Sequence, residues 1–211
     1  MANRLVVKEP YDEARQQHEA DTLGMYLFLA SEIMLFGGLI AAILINRLRH
    51  PQEFAAASER MHLWIGAGNT VLLLTSSLLV ALAVQAARAG RARRTSAWFA
   101  AAALLGLGFL ALKALEYGLE YEAGLLPHLS WPTDFANPFE RLFMNLYLIA
   151  TGLHALHLTI GIAMLCWYAW RLRRGRLAMP QRAVTVEMAG LYWHLVDVVW
   201  IVLYPLLYLA R

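Results

Sequence analysis

Near the C-terminus, Leu191-Tyr192-Trp193-His194-Leu195-Val196-Asp197-Val198-Val199-Trp200 places a histidine and an aspartate inside an apolar run that continues to Leu209. About 20 such residues cross a bilayer, and an ionisable side chain near its centre costs on the order of 2.5 to 3.5 kcal/mol. A helix carrying both groups therefore belongs inside a bundle. At i, i+3 spacing His194 and Asp197 share a face and are expected to bond each other, while Trp193, Val196 and Trp200 line the adjacent face as core residues.

Four further groups carry chemistry. Glu32 stands among Leu, Phe, Ile and Met. Its charged form is costly there, which leaves two readings: a proton-path or lipid-anchoring acid, or a neutral carboxyl bonded to a neighbouring helix. His154 and His157 invite a metal or haem reading, but an i, i+3 pair supplies at most two ligands, so structural or lipid-contacting histidines are expected instead. Lys113, Glu116 and Glu120 fall on one helical stripe, where pairing of Lys113 with Glu116 lowers the insertion cost. The arginines after the fourth apolar run, Arg171 and Arg174 among them, act as topology determinants and are placed to hold anionic lipid phosphates. The chain has no Cys-x-x-Cys, no glycine-rich phosphate loop and no serine–histidine–acid arrangement, so no autonomous active site and no cofactor of its own are expected.

The elements that must position these residues are membrane helices. The chain is 60% hydrophobic and 16% charged, with mean hydropathy +0.49, which places it among integral membrane proteins. The expected fold is all-α, with a polar tail over residues 1–21 and a membrane domain over 22–211. Its five spans lie at about 22–46, 64–86, 96–119, 142–170 and 188–209. Asp21 and Thr22 are candidate N-caps of the first span, residues 47–62 read as a polar loop, and the third span, with Gly106 and Gly108, suits the bundle interior. Residues 121–141, broken by Pro127, Pro132 and Pro138, read as a structured loop. The hydroxyl patches Asn69-Thr70 and Thr75-Ser76-Ser77 read as packing, and Cys166 as filler. The N-terminus lacks a basic segment followed by an apolar core, so no cleaved leader is expected.

A pI near 9.2 does not imply a nucleic-acid partner here, because the arginines sit in short segments between spans. The tail and the second and fourth connections hold twelve Lys and Arg, in groups of three, four and five, against five on the opposite side. By the positive-inside rule the N-terminus is cytoplasmic and the C-terminus external.

The C-terminal Tyr192–Trp200 stretch resembles the signature of subunit III of the haem-copper oxidases, and most closely of cytochrome c oxidase. Ser31-Glu32, Asn69-Thr70-Val71-Leu72-Leu73, Glu116-Tyr117 and Ala150-Thr151-Gly152-Leu153-His154-Ala155-Leu156-His157 agree in order, and the resemblance covers about residues 23–209. It implies an accessory subunit of an aa3-type, proton-pumping oxidase, and the Ala- and Arg-rich composition without a targeting sequence suits a bacterial plasma membrane. Such a subunit packs on subunit I beside subunit II, with haem and copper in those partners and cytochrome c as electron donor. In the family it sustains proton uptake, protects the catalytic centre during turnover and holds phospholipids in a cleft near the position Glu32 occupies. Many relatives have seven helices. The five here imply that two come from an extended subunit I. The ending Tyr204-Pro205-Leu206-Leu207-Tyr208 resembles the cytochrome c branch more than the quinol branch. A quinol oxidase subunit, a subunit-III-like partner of a nitric oxide reductase and, from another class, a small proton-coupled transporter are the alternatives.

Overall fold

A computed structural model describes residues 14–125, 137–177, 179–180 and 183–209. Every regular element among them is helical: α1 (Ala14–Arg49), α2 (Pro51–Glu59), α3 (Leu63–Arg88), α4 (Ala92–Glu122), α5 (Pro138–Arg173) and α6 (Ala183–Tyr208). Five are long and apolar enough to cross a membrane: Thr22–Arg49 of α1, and α3, α4, α5 and α6. The five-span, all-α reading therefore holds.

The boundaries depart from expectation for local reasons. Helix α1 starts at Ala14, so Asp21 and Thr22 lie within it and only 1–13 of the polar tail falls outside the described residues. The expected loop at 47–62 contains α2, which Pro51 opens at the first helical turn and which buries Phe54, Ala57 and Ser58. Phe54 meets Phe143 edge to face at 5.2 Å, so α2 packs its apolar side on α5. Of the expected loop at 121–141, Pro127 and Pro132 lie outside the described residues. Pro138 instead starts α5, where the Asn137 side chain caps by accepting from Phe139 N at 3.1 Å. Helix α6 begins at Ala183, five residues earlier than expected, and Glu187 in its second turn meets Arg88 Nε at the end of α3 at 2.8 Å.

The turn between α3 and α4 is only three residues long because Gly90 adopts φ +73°, a conformation that a side chain disfavours. Its neighbours close the helix end, with Arg91 N donating to Ala86 O at 2.9 Å and Gly90 N to Ala87 O at 3.0 Å. This forces α3 and α4 into an antiparallel pair. Helix α4 then packs along α3 and α5, and α6 lies across α3 and α5. Burial ranks the helices: 56% of the most apolar stretch of α6 is covered, against 11% for α1. Helix α6 is the core element.

Trp193 of α6 occupies the centre because two glycines make room for it. A Cβ at Gly106 of α4 would fall 2.9 Å from its ring, and one at Gly161 of α5 would fall 3.0 Å from it. Gly108 is different: a Cβ there meets Leu72 at an ordinary 3.6 Å. Only Gly106 serves the close approach expected of the pair. Trp193 Nε1 donates to Ser76 Oγ at 2.8 Å and Trp200 Nε1 to Thr70 Oγ1 at 3.1 Å, so both indoles are core residues with satisfied donors. Thr70 and Thr75 donate back to the Gly66 and Val71 carbonyls, as packing hydroxyls do.

Candidate functional site: a buried lysine–tyrosine–glutamate network and an acid–histidine pair

Lys113, Glu116 and Glu120 lie on three successive levels of α4 and are all buried. The 3.0 Å contact of Lys113 Nζ with Glu116 Oε2 is the pair that their spacing predicts. The two other ammonium protons go to Tyr147 OH of α5 at 2.9 Å and Tyr208 OH of α6 at 2.7 Å. Each tyrosine passes the bond on: Tyr208 OH donates to Glu116 Oε1 at 2.8 Å and Tyr147 OH to Glu120 Oε1 at 2.7 Å. Lys113 also stands 4.7 Å from the centre of the Tyr147 ring, on the electron-rich face. Three helices thus meet on one cation whose donors are all used, which is the condition for holding a charge away from water. Glu120 Oε2 has no partner among the described residues. The tyrosines were missed in the sequence because they lie 34 and 95 positions from Lys113 and no local period links them.

Glu32 is not alone. Its Oε2 lies 2.8 Å from His157 Nε2 across the α1–α5 contact, with the two side chains 15% and 12% exposed. The bonding of the other ring nitrogen fixes the proton count. His157 Nδ1 lies 2.8 Å from Leu153 O, and a carbonyl only accepts, so Nδ1 carries a hydrogen. A bond between Nε2 and Oε2 then needs one more proton, held either as carboxylic acid with neutral imidazole or as carboxylate with imidazolium. In both forms a single proton is shared between Nε2 and Oε2, and the pair is neutral as a unit. Tyr192 OH donates to His157 O at 3.0 Å, and the Phe36 ring stands 5.1 Å from the imidazole.

His154 and His157 face different neighbours although they share one helix. His154 is fully buried between Phe109 of α4 and Trp200 of α6, at 5.5 and 5.2 Å, and neither of its nitrogens has a hydrogen-bond partner among the described residues. They do not converge. The expected His194–Asp197 bond is not formed either: His194 Nδ1 pairs with Ser77 Oγ of α3 at 2.7 Å. Asp197 is 3% exposed and also looks toward Ser77, the hydroxyl that meets His194. Arg171 is half-buried and Arg174 exposed at the end of α5, with the Arg174 guanidinium 4.5 Å from the Trp170 ring. Among the described residues no three His, Cys, Asp or Glu side chains are grouped to hold a metal ion.

Five membrane-length helices tied together by paired polar groups define a multi-pass helical membrane protein. The chain matches the family model for cytochrome c oxidase subunit III over residues 12–210 and belongs to that family. It is 34% identical over 198 residues to the cytochrome c oxidase subunit 3 of Thermostichus vulcanus, covering 94% of this chain and 91% of that one. A quinol oxidase subunit 3 of Bacillus spizizenii is 27% identical over 205 residues, covering 95% and 92%. A heme-copper oxidase subunit I+III of Aeropyrum pernix is 26% identical over 197 residues, covering 88% of this chain and 22% of the relative.

Proposed function

We propose that this chain is the accessory, cofactor-free subunit III of an aa3-type cytochrome c oxidase in a bacterial plasma membrane. It packs on subunit I of the complex, which also contains subunit II; those partners carry the haem and copper and take electrons from cytochrome c. Its N-terminus is cytoplasmic, so the α3–α4 and α5–α6 turns face the cytoplasm with their arginines. Its work is to stabilise the complex, hold phospholipid and support proton uptake by subunit I.

The observation that carries this reading is the proton shared by Glu32 and His157 at the thinly covered α1–α5 edge. A pair that is neutral as a unit ties α1 to α5 without placing a bare charge in the membrane. The Aeropyrum pernix relative, whose name joins subunits I and III in one chain, supports subunit I as the neighbour. The experiment is purification of the complex through a tag on this chain, followed by an optical spectrum and assays with reduced cytochrome c and with quinol. The expected result is a-type haem, copper and oxidation of cytochrome c. A colourless protein without partners, from membranes containing an intact oxidase, overturns the reading.

The second reading is subunit III of a quinol oxidase, favoured by the Bacillus spizizenii relative, which aligns over nearly the whole chain. Oxidation of quinol with no activity toward cytochrome c selects it.

A further inference from the structure

The bonds around Lys113 can be counted in hydrogens. Five join the cluster: Lys113 Nζ to Glu116 Oε2, to Tyr147 OH and to Tyr208 OH, Tyr208 OH to Glu116 Oε1, and Tyr147 OH to Glu120 Oε1. Five bonds need five hydrogens. An ammonium brings three and each phenol one, so the count closes with Glu116 bringing none, as a carboxylate that accepts on both oxygens. Moving a proton from Lys113 to Glu116 leaves the total unchanged. In either form Lys113, Tyr147, Tyr208 and Glu116 are neutral together.

Glu120 stands outside this balance. It is fully buried, accepts from Tyr147 on Oε1, and its Oε2 has no partner among the described residues. No cation is left for it, because Lys113 is the only buried Lys or Arg among the described residues and Glu116 already matches its charge. As a carboxylate, Glu120 gives the site a net negative charge with one oxygen bare. As an acid it carries the hydrogen on Oε2, keeps Oε1 as the acceptor for Tyr147 and leaves the site neutral. A buried hydroxyl without a partner costs far less than a buried carboxylate oxygen without one. The two glutamates share one stripe of α4, and Lys113 separates them: it bonds Glu116 directly but reaches Glu120 only through Tyr147.

We infer that Glu120 is a proton-binding site, a neutral carboxylic acid one helical turn from an ionised Glu116 that serves as the counter-ion of Lys113. Two residues of one type thus hold opposite protonation states in one buried cluster. The site is separate from the Glu32–His157 pair, which joins α1 to α5. It belongs to this chain whichever electron donor the complex uses.

The test uses the complex purified through a tag on this chain. An infrared difference spectrum between the parent and Glu120→Gln should show the loss of one carbonyl band of a protonated carboxyl group, with haem content unchanged. The amide keeps an acceptor for Tyr147 and matches the neutral acid in charge, so Glu120→Gln should hold this chain in the complex as the parent does. Rescue separates the two glutamates without spectroscopy. Retention lost in Lys113→Met should recover several-fold on adding Glu116→Gln and should not recover on adding Glu120→Gln, read by subunit stoichiometry after detergent extraction. An infrared spectrum unchanged by Glu120→Gln, loss of the chain in that single variant, or equal rescue by the two glutamine substitutions overturns the site. The infrared comparison works equally on the chain purified without partners, so failure of the oxidase reading is told apart from failure of the proton site.

Discussion

Glu32 Oε2 and His157 Nε2 meet at 2.8 Å across two helices, while the other histidine nitrogen is committed to the Leu153 carbonyl. The consequence is a unit that shares one proton between the two side chains and bears no net charge.

Replacing either member should have the same effect. Glu32→Ala and His157→Ala should each leave the haem spectra of the complex unchanged and shorten its turnover lifetime several-fold. The double variant should be no worse than the more damaging single one, since groups acting as one unit are not additive. Counting turnovers before inactivation in the four complexes checks this. Additive losses, or a shifted haem spectrum, would show that the two residues do not act as a pair.

Lys113 is the member of its network whose loss should cost most. Lys113→Met strands two carboxyl groups and two phenols in a dry site, and removing one partner of a buried ion pair costs on the order of 3 to 5 kcal/mol. The expected outcome is loss of this chain from the complex during purification. Lys113→Met with Glu116→Gln removes both charges of the pair and should recover much of the retention, read by the stoichiometry of subunits after detergent extraction.

The glycines of α4 separate in the same assay. Gly106→Ala pushes a methyl against the Trp193 ring and Ile162, at a cost of about 1 to 3 kcal/mol for overpacking. Gly108→Ala meets Leu72 at ordinary distance and should leave the melting temperature unchanged or raise it slightly. Equal destabilisation by the two would contradict the placement of Trp193.

His194 draws its support from α3. Ser77→Ala should destabilise by about 1 to 3 kcal/mol by leaving a ring nitrogen without its partner. In double-mutant cycles, coupling between Ser77 and His194 should exceed that between His194 and Asp197. The reverse order would restore the bond expected from spacing alone.

How much of this was legible depended on whether the relationship was local. Five apolar runs of spanning length, the Lys113–Glu116 pair and the buried Trp193 and Trp200 are set by residues within a few positions of one another, and sequence reading found them. Tyr147 and Tyr208 closing on Lys113, His157 reaching Glu32 and Ser77 taking His194 join different helices, and their register is fixed only when Gly106 and Gly161 let Trp193 in. Helix α2 was hidden for another reason: its nine residues are too short and polar for an apolar period, and its few buried side chains show their purpose only against α5. The His194–Asp197 bond was a local pairing read from spacing, and His194 instead meets a hydroxyl on a neighbouring helix.

The most direct test of the account compares the intact oxidase with the complex stripped of this chain in mild detergent, following cytochrome c oxidation over many turnovers. The account predicts an unchanged haem spectrum and a comparable initial rate, with a lifetime several-fold shorter that rejoining the chain restores. An unaltered lifetime in the stripped complex would contradict it, as would disappearance of haem together with the chain.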